Sequence, residues 1–269
     1  MAIDSPAESE AAPPEQGITA TVDLSVVIPA YNEADRIAET IRVTIEELQK
    51  LDCSYELVIV DDGSDDHTHH YAREVAVEYA ELGRGEVHVV TYDRNGGKGH
   101  AVRYGAARTK GLFVAFLDAD LDLHPRLLVR LLTIQADSDA DIVIGSKRHP
   151  DSVIDYPVTR RLYSTAYYHL CRLLFGLPVH DTQTGIKLLR GTFARAILPT
   201  LSVNRFAFDL EMLVVAHRLG LSIVEAPVEL TFRRRFGRIG ISAILGICTD
   251  TIGIWWGLRS SERINGSEA

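Results

Sequence analysis

Three carboxylates at alternate positions, Asp118, Asp120 and Asp122, follow the apolar run Phe113–Leu117. The run reads as a buried strand. Negative charge at the end of such a strand is costly unless a cation balances it. Asp-x-Asp spacing lets two carboxylates converge on one ion from a single turn. Hard oxygen ligands suit Mg²⁺ or Mn²⁺, which commonly hold substrate phosphates. The plainer alternative is a solvated acidic turn. The segment Asn95-Gly-Gly-Lys-Gly99 adds a second chemical element. Its glycines would let backbone amides and Lys98 approach a phosphate at a helix start. Its spacing is not that of a P-loop, so it does not indicate an ATPase. Pro29-Ala-Tyr-Asn-Glu33 and Asp61-Asp-Gly-Ser-Asp-Asp66 are two further polar turns, each also readable as a turn feeding a helix.

The elements that must position these turns alternate between apolar strands and amphipathic helices. Strands are expected at Leu24–Pro29, Glu56–Val60, Glu86–Thr91, Leu112–Leu117 and Asp141–Gly145. Between them lie a helix capped by Asn32 with Ile37, Ile41, Ile45 and Leu48 on one face, and helices over about 67–82, 99–109 and 125–137. A further helix is expected over 208–219. This alternation predicts βαβ units in a doubly wound, mostly parallel, Rossmann-like sheet, whose ligand site lies beyond the carboxyl ends of its strands. All four polar turns fall at that edge, which makes it a nucleotide and metal site.

The composition is that of a globular chain: 269 residues, 46% hydrophobic, 24% charged and a net charge of −9. The acidic balance argues against a nucleic-acid binder. Cys53, Cys171 and Cys248 are widely spaced, which suggests a reducing compartment and neither a zinc site nor a disulfide framework. Residues 1–20 are rich in Ala, Pro, Glu and Ser and read as a disordered tail without the features of a secretory signal. Residues 21–235 would form the folded domain and 236–269 a C-terminal helical segment.

Val-Ile-Pro-Ala-Tyr-Asn-Glu, Val-Asp-Asp-Gly-Ser and Leu-Asp-Ala-Asp-Leu, in this order, resemble the inverting family-2 glycosyltransferases of the GT-A fold. The resemblance covers roughly residues 24–235. Asn95–Arg103, Asp181-Thr-Gln-Thr-Gly-Ile-Lys-Leu188 and Phe208-Asp-Leu-Glu211 are similar to the dolichyl-phosphate β-glucosyltransferases, with the dolichyl-phosphate mannose synthases as cousins. The family implies a sugar nucleotide donor, UDP-glucose in preference to GDP-mannose, and a polyprenyl phosphate acceptor. It implies that Pro29, Tyr31 and Glu33 line the nucleoside pocket and that Asp61 and Asp62 reach the base or ribose. Asp118 and Asp120 would be the metal-diphosphate signature, with Asp122 as a third metal ligand where relatives often carry Gln. Lys147, Arg148, Arg161 and Arg235 would meet the acceptor phosphate. Asp209 and Glu211 fall where enzymes acting on hydroxyls keep a base, and packing at a helix start explains them equally well. Asp120, Lys98, Arg148 and Asp209 are the residues expected to carry the chemistry.

The metal and Lys98 would stabilise the departing diphosphate. A phosphate acceptor, with a second pKa of about 6, is already ionised and needs placement more than deprotonation. A lipid acceptor implies a membrane surface. Residues 239–258 have an apolar arc (Ile241, Ile244, Ile247, Ile254, Trp255, Leu258), tryptophans and basic flanks, which suits a helix lying in the interface. Asp250 and four glycines disfavour a span, and packing on the domain is the other option. Phe232-Arg-Arg-Arg-Phe-Gly-Arg238 would bind headgroups or acceptor phosphate. The expected location is cytoplasmic, on the cytoplasmic face of a membrane, and whether the chain forms a homo-oligomer is left open. The competing readings are a nucleotidyltransferase, disfavoured because no glycine- and arginine-rich loop follows the first strand, a glycosyltransferase with a hydroxyl acceptor, and an inactive sugar-nucleotide-binding module.

Overall fold

The computed structural model describes residues 20–81, 86–154, 158–205, 207–230, 246 and 249–257. Strands β1 (Val22–Ala30), β2 (Tyr55–Asp61), β3 (Glu86–Thr91) and β4 (Gly111–Phe116) are parallel neighbours. Between them come helices α1 (Ile37–Leu48), α2 (Thr68–Glu81) and α3 (Lys98–Ala106). Helix α4 (Leu127–Ser138) leads to β5 (Ile142–Ser146). Then follow β6 (Val153–Ile154), α5 (Val158–Phe175), β7 (Lys187–Arg190), α6 (Gly191–Ile197), α7 (Phe208–Arg218), β8 (Ile223–Pro227) and β9 (Glu229–Leu230).

The seven-stranded sheet has the order β3-β2-β1-β4-β7-β5-β8, in which β7 alone is antiparallel to both its neighbours. The expected doubly wound, mostly parallel sheet is therefore present, with two strands the alternation did not reveal, β7 and β8. β7 is too short to announce itself, and a four-residue run after a long helix carries no βαβ rhythm.

Burial explains the two faces. Ile37, Ile41, Ile45 and Leu48 of α1 are fully buried on one side of the sheet with Leu127, Leu128 and Leu131 of α4. Ala101 and Val102 of α3, Phe193 of α6 and Phe208 and Met212 of α7 cover the other. Each buried Ile or Leu contributes about 1.5–3 kcal/mol relative to exposure, so the helical stripes are sufficient to fix the layers. One local expectation is corrected: Asn32 does not cap α1. Arg36 occupies the N-cap position, and Asn32 takes a positive φ of 52° in the turn before it. Asn is among the residues that tolerate that conformation, and its side chain is engaged across the site by Asp65 N–H at 3.0 Å.

Residues 249–257 are helical and pack on the domain. Thr251 is fully buried and 3.1 Å from Tyr167 Oη of α5, and Ile254 joins the core. Ile252 and Trp256 on the same stretch are exposed. Among the described residues, no helix is long and apolar enough to cross a membrane.

Candidate donor and metal site

β1, β2, β3 and β4 end at one edge, since Ala30 registers with Asp61 and Asp61 with Thr91. The crossover reverses between β1 and β4, and the Asp turn leaves β4 beside that switch point, where open α/β sheets bind ligands. The turn is held from several sides. Thr40 Oγ1 of α1 donates to the Ala119 carbonyl at 2.7 Å. Leu121 adopts a positive φ of 57°, and Asp122 N–H donates to Asp120 Oδ1 at 3.0 Å. Gly185 lies against Asp118 so closely that a Cβ there would fall 1.7 Å from Asp118 Oδ2. Only a residue without a side chain leaves that carboxylate its place.

The glycine loop is fastened to the same edge. Asp62 accepts from Tyr92 Oη at 2.6 Å, from Gly96 N–H at 2.7 Å and from Gly97 N–H at 3.0 Å. Asp61 accepts from Ser64 N–H at 3.2 Å and Thr91 Oγ1 at 2.9 Å. Both carboxylates, expected to reach a base or ribose, also shape the loops around the pocket. Gly97 has φ of 91°, and a Cβ there would strike the Asn204 carbonyl at 2.6 Å, so the loop requires glycine. The loop delivers Lys98 at the start of α3.

Lys98 Nζ lies 2.7 Å from Asp118 Oδ1 and 3.9 Å from Asp209 Oδ2. Burial alone would lower the Lys98 pKa, but Asp118 and Asp209 override it and raise it. Burial would raise Asp118, yet Lys98 beside it holds that carboxyl below its ordinary value. Asp120 is different. Burial, with Asp118 and also Asp122 and Glu33 nearby, pushes its pKa up to about 6. A carboxyl surrounded by like charge is relieved by a cation, so Asp118 and Asp120 suit a hard divalent metal. Asp122 contributes its backbone amide to the turn and its charge to that field.

Asp209 is buried in the first turn of α7, with Oδ1 2.7 Å from Lys187 Nζ. Lys187 is itself 1% exposed, also donates to the Thr184 carbonyl, and has its pKa lowered by burial against the opposing pull of Asp209. Nothing in its sequence neighbourhood assigns it a role. Its signal was a lone ammonium in the apolar run Ile186-Lys-Leu-Leu189. Glu211 accepts from Ser202 and Val203 N–H groups at 3.0 and 2.8 Å, so it pins that loop.

Tyr31 is exposed and its hydroxyl lies 3.4 Å from Asp65 Oδ2. Pro29 ends β1 opposite Val60, and Glu33 N–H donates to Thr68 Oγ1 at 2.8 Å. Lys147 follows β5 and lies 3.4 Å from Asp181 Oδ2, with its charge felt at Asp118. Among the described residues, Arg148 donates to Ser164 and Thr165 of α5, both at 3.1 Å. Arg161 belongs to α5 but its side chain lies outside the described residues, as do Arg235 and the whole stretch 232–238. Glu56, Glu86 and His88 also have ligand atoms within 4.8 Å of one another. They lie at the opposite ends of β2 and β3 from Asp61 and play no part in this site.

Residues 25–198 match glycosyl transferase family 2. The chain is 34% identical to the dolichyl-phosphate beta-glucosyltransferase of Mus musculus, covering 78% of this chain and 68% of the relative. It is 32% identical to that of Saccharomyces cerevisiae, covering 77% and 66%. It is also 32% identical to the glycosyltransferase AglD of Haloferax volcanii, covering 93% of this chain and 40% of the relative. The chain thus spans less than half of AglD and about two thirds of the other two. Among solved structures, glucosyl-3-phosphoglycerate synthase of Mycobacterium tuberculosis in complex with Mn²⁺, UDP-glucose and phosphoglyceric acid has a TM-score of 0.63 at 21% identity, covering 89% and 80% of the two chains. Mannosyl-3-phosphoglycerate synthase of Rubrobacter xylanophilus gives 0.66 at 20%, covering 90% and 75%. At these identities the likeness is one of fold.

Proposed function

The chain belongs to glycosyl transferase family 2, and from that premise we propose that it moves glucose from UDP-glucose to a polyprenyl phosphate of the dolichyl type, giving a lipid-phosphate-glucose. The observation that carries this reading is the cluster at the sheet edge: Asp118 paired with Lys98 at 2.7 Å, beside an Asp120 whose pKa burial and the neighbouring carboxylates push up to about 6. It supplies a metal-binding pair and a cation at the place where a diphosphate would leave. Relatives about a third identical to this chain over the aligned residues are named for glucosyl transfer to dolichyl phosphate.

Asp118 and Asp120 would hold Mg²⁺ or Mn²⁺, with Asp122 close by. When bound, that ion neutralises diphosphate charge as a Lewis acid. Lys98 would turn from Asp118 toward the leaving phosphate. Asp62 keeps the Gly96-Gly97 amides in place for the nucleotide, and Pro29, Tyr31 and Glu33 border the nucleoside side. Lys147 and Arg148 are the described candidates for the acceptor phosphate, with Arg161 and Arg235 proposed from sequence alone. Asp209 is held by Lys187, which favours an acceptor that arrives ionised over one that must lose a proton. The acceptor also places the enzyme at a membrane. We infer peripheral attachment on the cytoplasmic face through residues 236–269, where Ile252 and Trp256 project from the surface.

The test incubates the purified chain with polyprenyl phosphate, Mg²⁺ or Mn²⁺, and labelled UDP-glucose or GDP-mannose in parallel. Lipid-extractable label from UDP-glucose is expected. Label from GDP-mannose alone, or none from either donor, overturns the proposal.

A further inference from the structure

Lys187 opens β7, the antiparallel strand inserted between β4 and β5, in register with Phe116 and Ile144. It is among the largest fully buried side chains of the described residues. A buried ammonium requires close partners. Here they are Asp209 Oδ1 at 2.7 Å and the Thr184 carbonyl. Across Asp209, the other oxygen faces Lys98 Nζ at 3.9 Å, and Lys98 faces Asp118 at 2.7 Å. The four groups form a row of alternating charge, Lys187, Asp209, Lys98, Asp118. The spacing along the row is uneven: tight at both ends and loose in the middle.

That unevenness has a physical consequence. Asp209 draws its short contact from Lys187, so Lys98 is left to Asp118. Without the Lys187 charge, a carboxylate that is 5% exposed would have Lys98 as its nearest cation. Unpaired charge in the interior is strongly disfavoured, so Lys98 would be pulled back toward α7 and away from the Asp turn. We propose that Lys187 is a positioning residue that satisfies Asp209 and thereby keeps Lys98 at the Asp118 side, where the diphosphate leaves. Only its catalytic consequence rests on the glucosyl-transfer reading. The row itself stands on the geometry.

The test uses the full chain with Lys187→Met, Asp209→Asn and the double variant, and three readouts. The first is thermal unfolding without metal, as a double-mutant cycle. Because each single change orphans a buried charge, the double variant should be more stable than the sum of the two losses implies. The second is Mn²⁺ binding without nucleotide. In Lys187→Met, Lys98 leaves Asp118, so Mn²⁺ should bind severalfold more tightly than to the wild type. The double variant, with no Asp209 charge to attract Lys98, should return to wild-type affinity. The third is steady-state transfer, in which Lys187→Met should lower kcat with little change in the KM for UDP-glucose. Tighter metal binding together with slower turnover is an outcome that mere loosening of the fold would not give. Additive unfolding losses, or unchanged or weaker Mn²⁺ binding by folded Lys187→Met, overturn the proposal. A wild type that binds Mn²⁺ but transfers no glucose overturns the functional reading alone, and the first two readouts still decide the role of Lys187.

Discussion

Gly185→Ala tests whether the Asp118 carboxylate must stand where it does. A methyl group at this position would lie 1.7 Å from Asp118 Oδ2 and 2.3 Å from its Cγ. Ordinary nonbonded contact needs about 3.5 Å, so the carboxylate must withdraw by more than about 1 Å. It is the end of a side chain, so it can rotate, and the fold should survive with an overpacking loss of about 1–3 kcal/mol. The displaced carboxylate gives up its 2.7 Å contact with Lys98 and its alignment with Asp120. Misplacement of about 1 Å at a reacting centre costs about 10²-fold in rate, or about 2.7 kcal/mol of barrier. The assay is kcat/KM for UDP-glucose, together with Mn²⁺ affinity and thermal unfolding. Gly253→Ala is the control, because nothing lies within 4 Å of a Cβ there. Alanine in a helix should be neutral or slightly stabilising at that position. A Gly185→Ala enzyme with wild-type turnover and metal affinity would show that Asp118 need not stand where it does, and a protein that fails to fold would show that the carboxylate cannot rotate away.

The other predictions address neighbouring parts of the site. Lys98→Met should lower kcat by about 10²–10³, the usual effect of removing a group that stabilises developing charge, and single-turnover kinetics would show it. Asp181 is held below its ordinary pKa because Lys147 and donors from Thr184, Gln183 and Lys147 outweigh its burial. Its stabilising effect is therefore complete above the unfolded value of about 3.9 and is lost as pH falls through the depressed folded value. Asp181→Asn should cost about 2 kcal/mol at pH 7, a difference that shrinks in urea titrations carried below that unfolded value. Glu211→Ala should destabilise by about 2–4 kcal/mol, since Ser202 and Val203 lose their acceptor, measurable by the same titrations. Replacing both Ile252 and Trp256 by Ser should reduce partitioning to vesicles containing anionic lipid, with no loss of folding stability.

The fold was legible because β1 to β5 and α1 to α4 carry strong periodic signals. Each strand is a short apolar run, and Ile37, Ile41, Ile45 and Leu48 mark the buried stripe of α1. The Asp turn and Lys98 were legible because charge beside an apolar strand, and glycine before a helix, have few cheap explanations. What escaped was set by tertiary contact. Asp62 reads as a ligand contact, and nothing local in the sequence shows that its oxygens also cap backbone amides 34 and 35 residues away. Lys187 gave only a lone charge in a strand, and nothing local names Asp209 as its partner. Asn32 has the chemistry of a cap, yet the turn needed its tolerance of positive φ more than its oxygen at the helix start. The C-terminal stretch was read from its apolar arc as interfacial. Of that arc, its described part buries Ile254 in the domain and leaves Trp255 half-buried, while Trp256, outside the arc, is exposed.

In the proposed reaction, glucose passes with inversion to the oxygen of a lipid phosphate. The most direct measurement is the NMR spectrum of the lipid product made from UDP-glucose, whose sugar is α-linked. Inversion predicts a β-anomeric proton coupled to a phosphodiester phosphorus. An α-linked product, a glucose joined to carbon without phosphate, or free glucose as the sole product would contradict it.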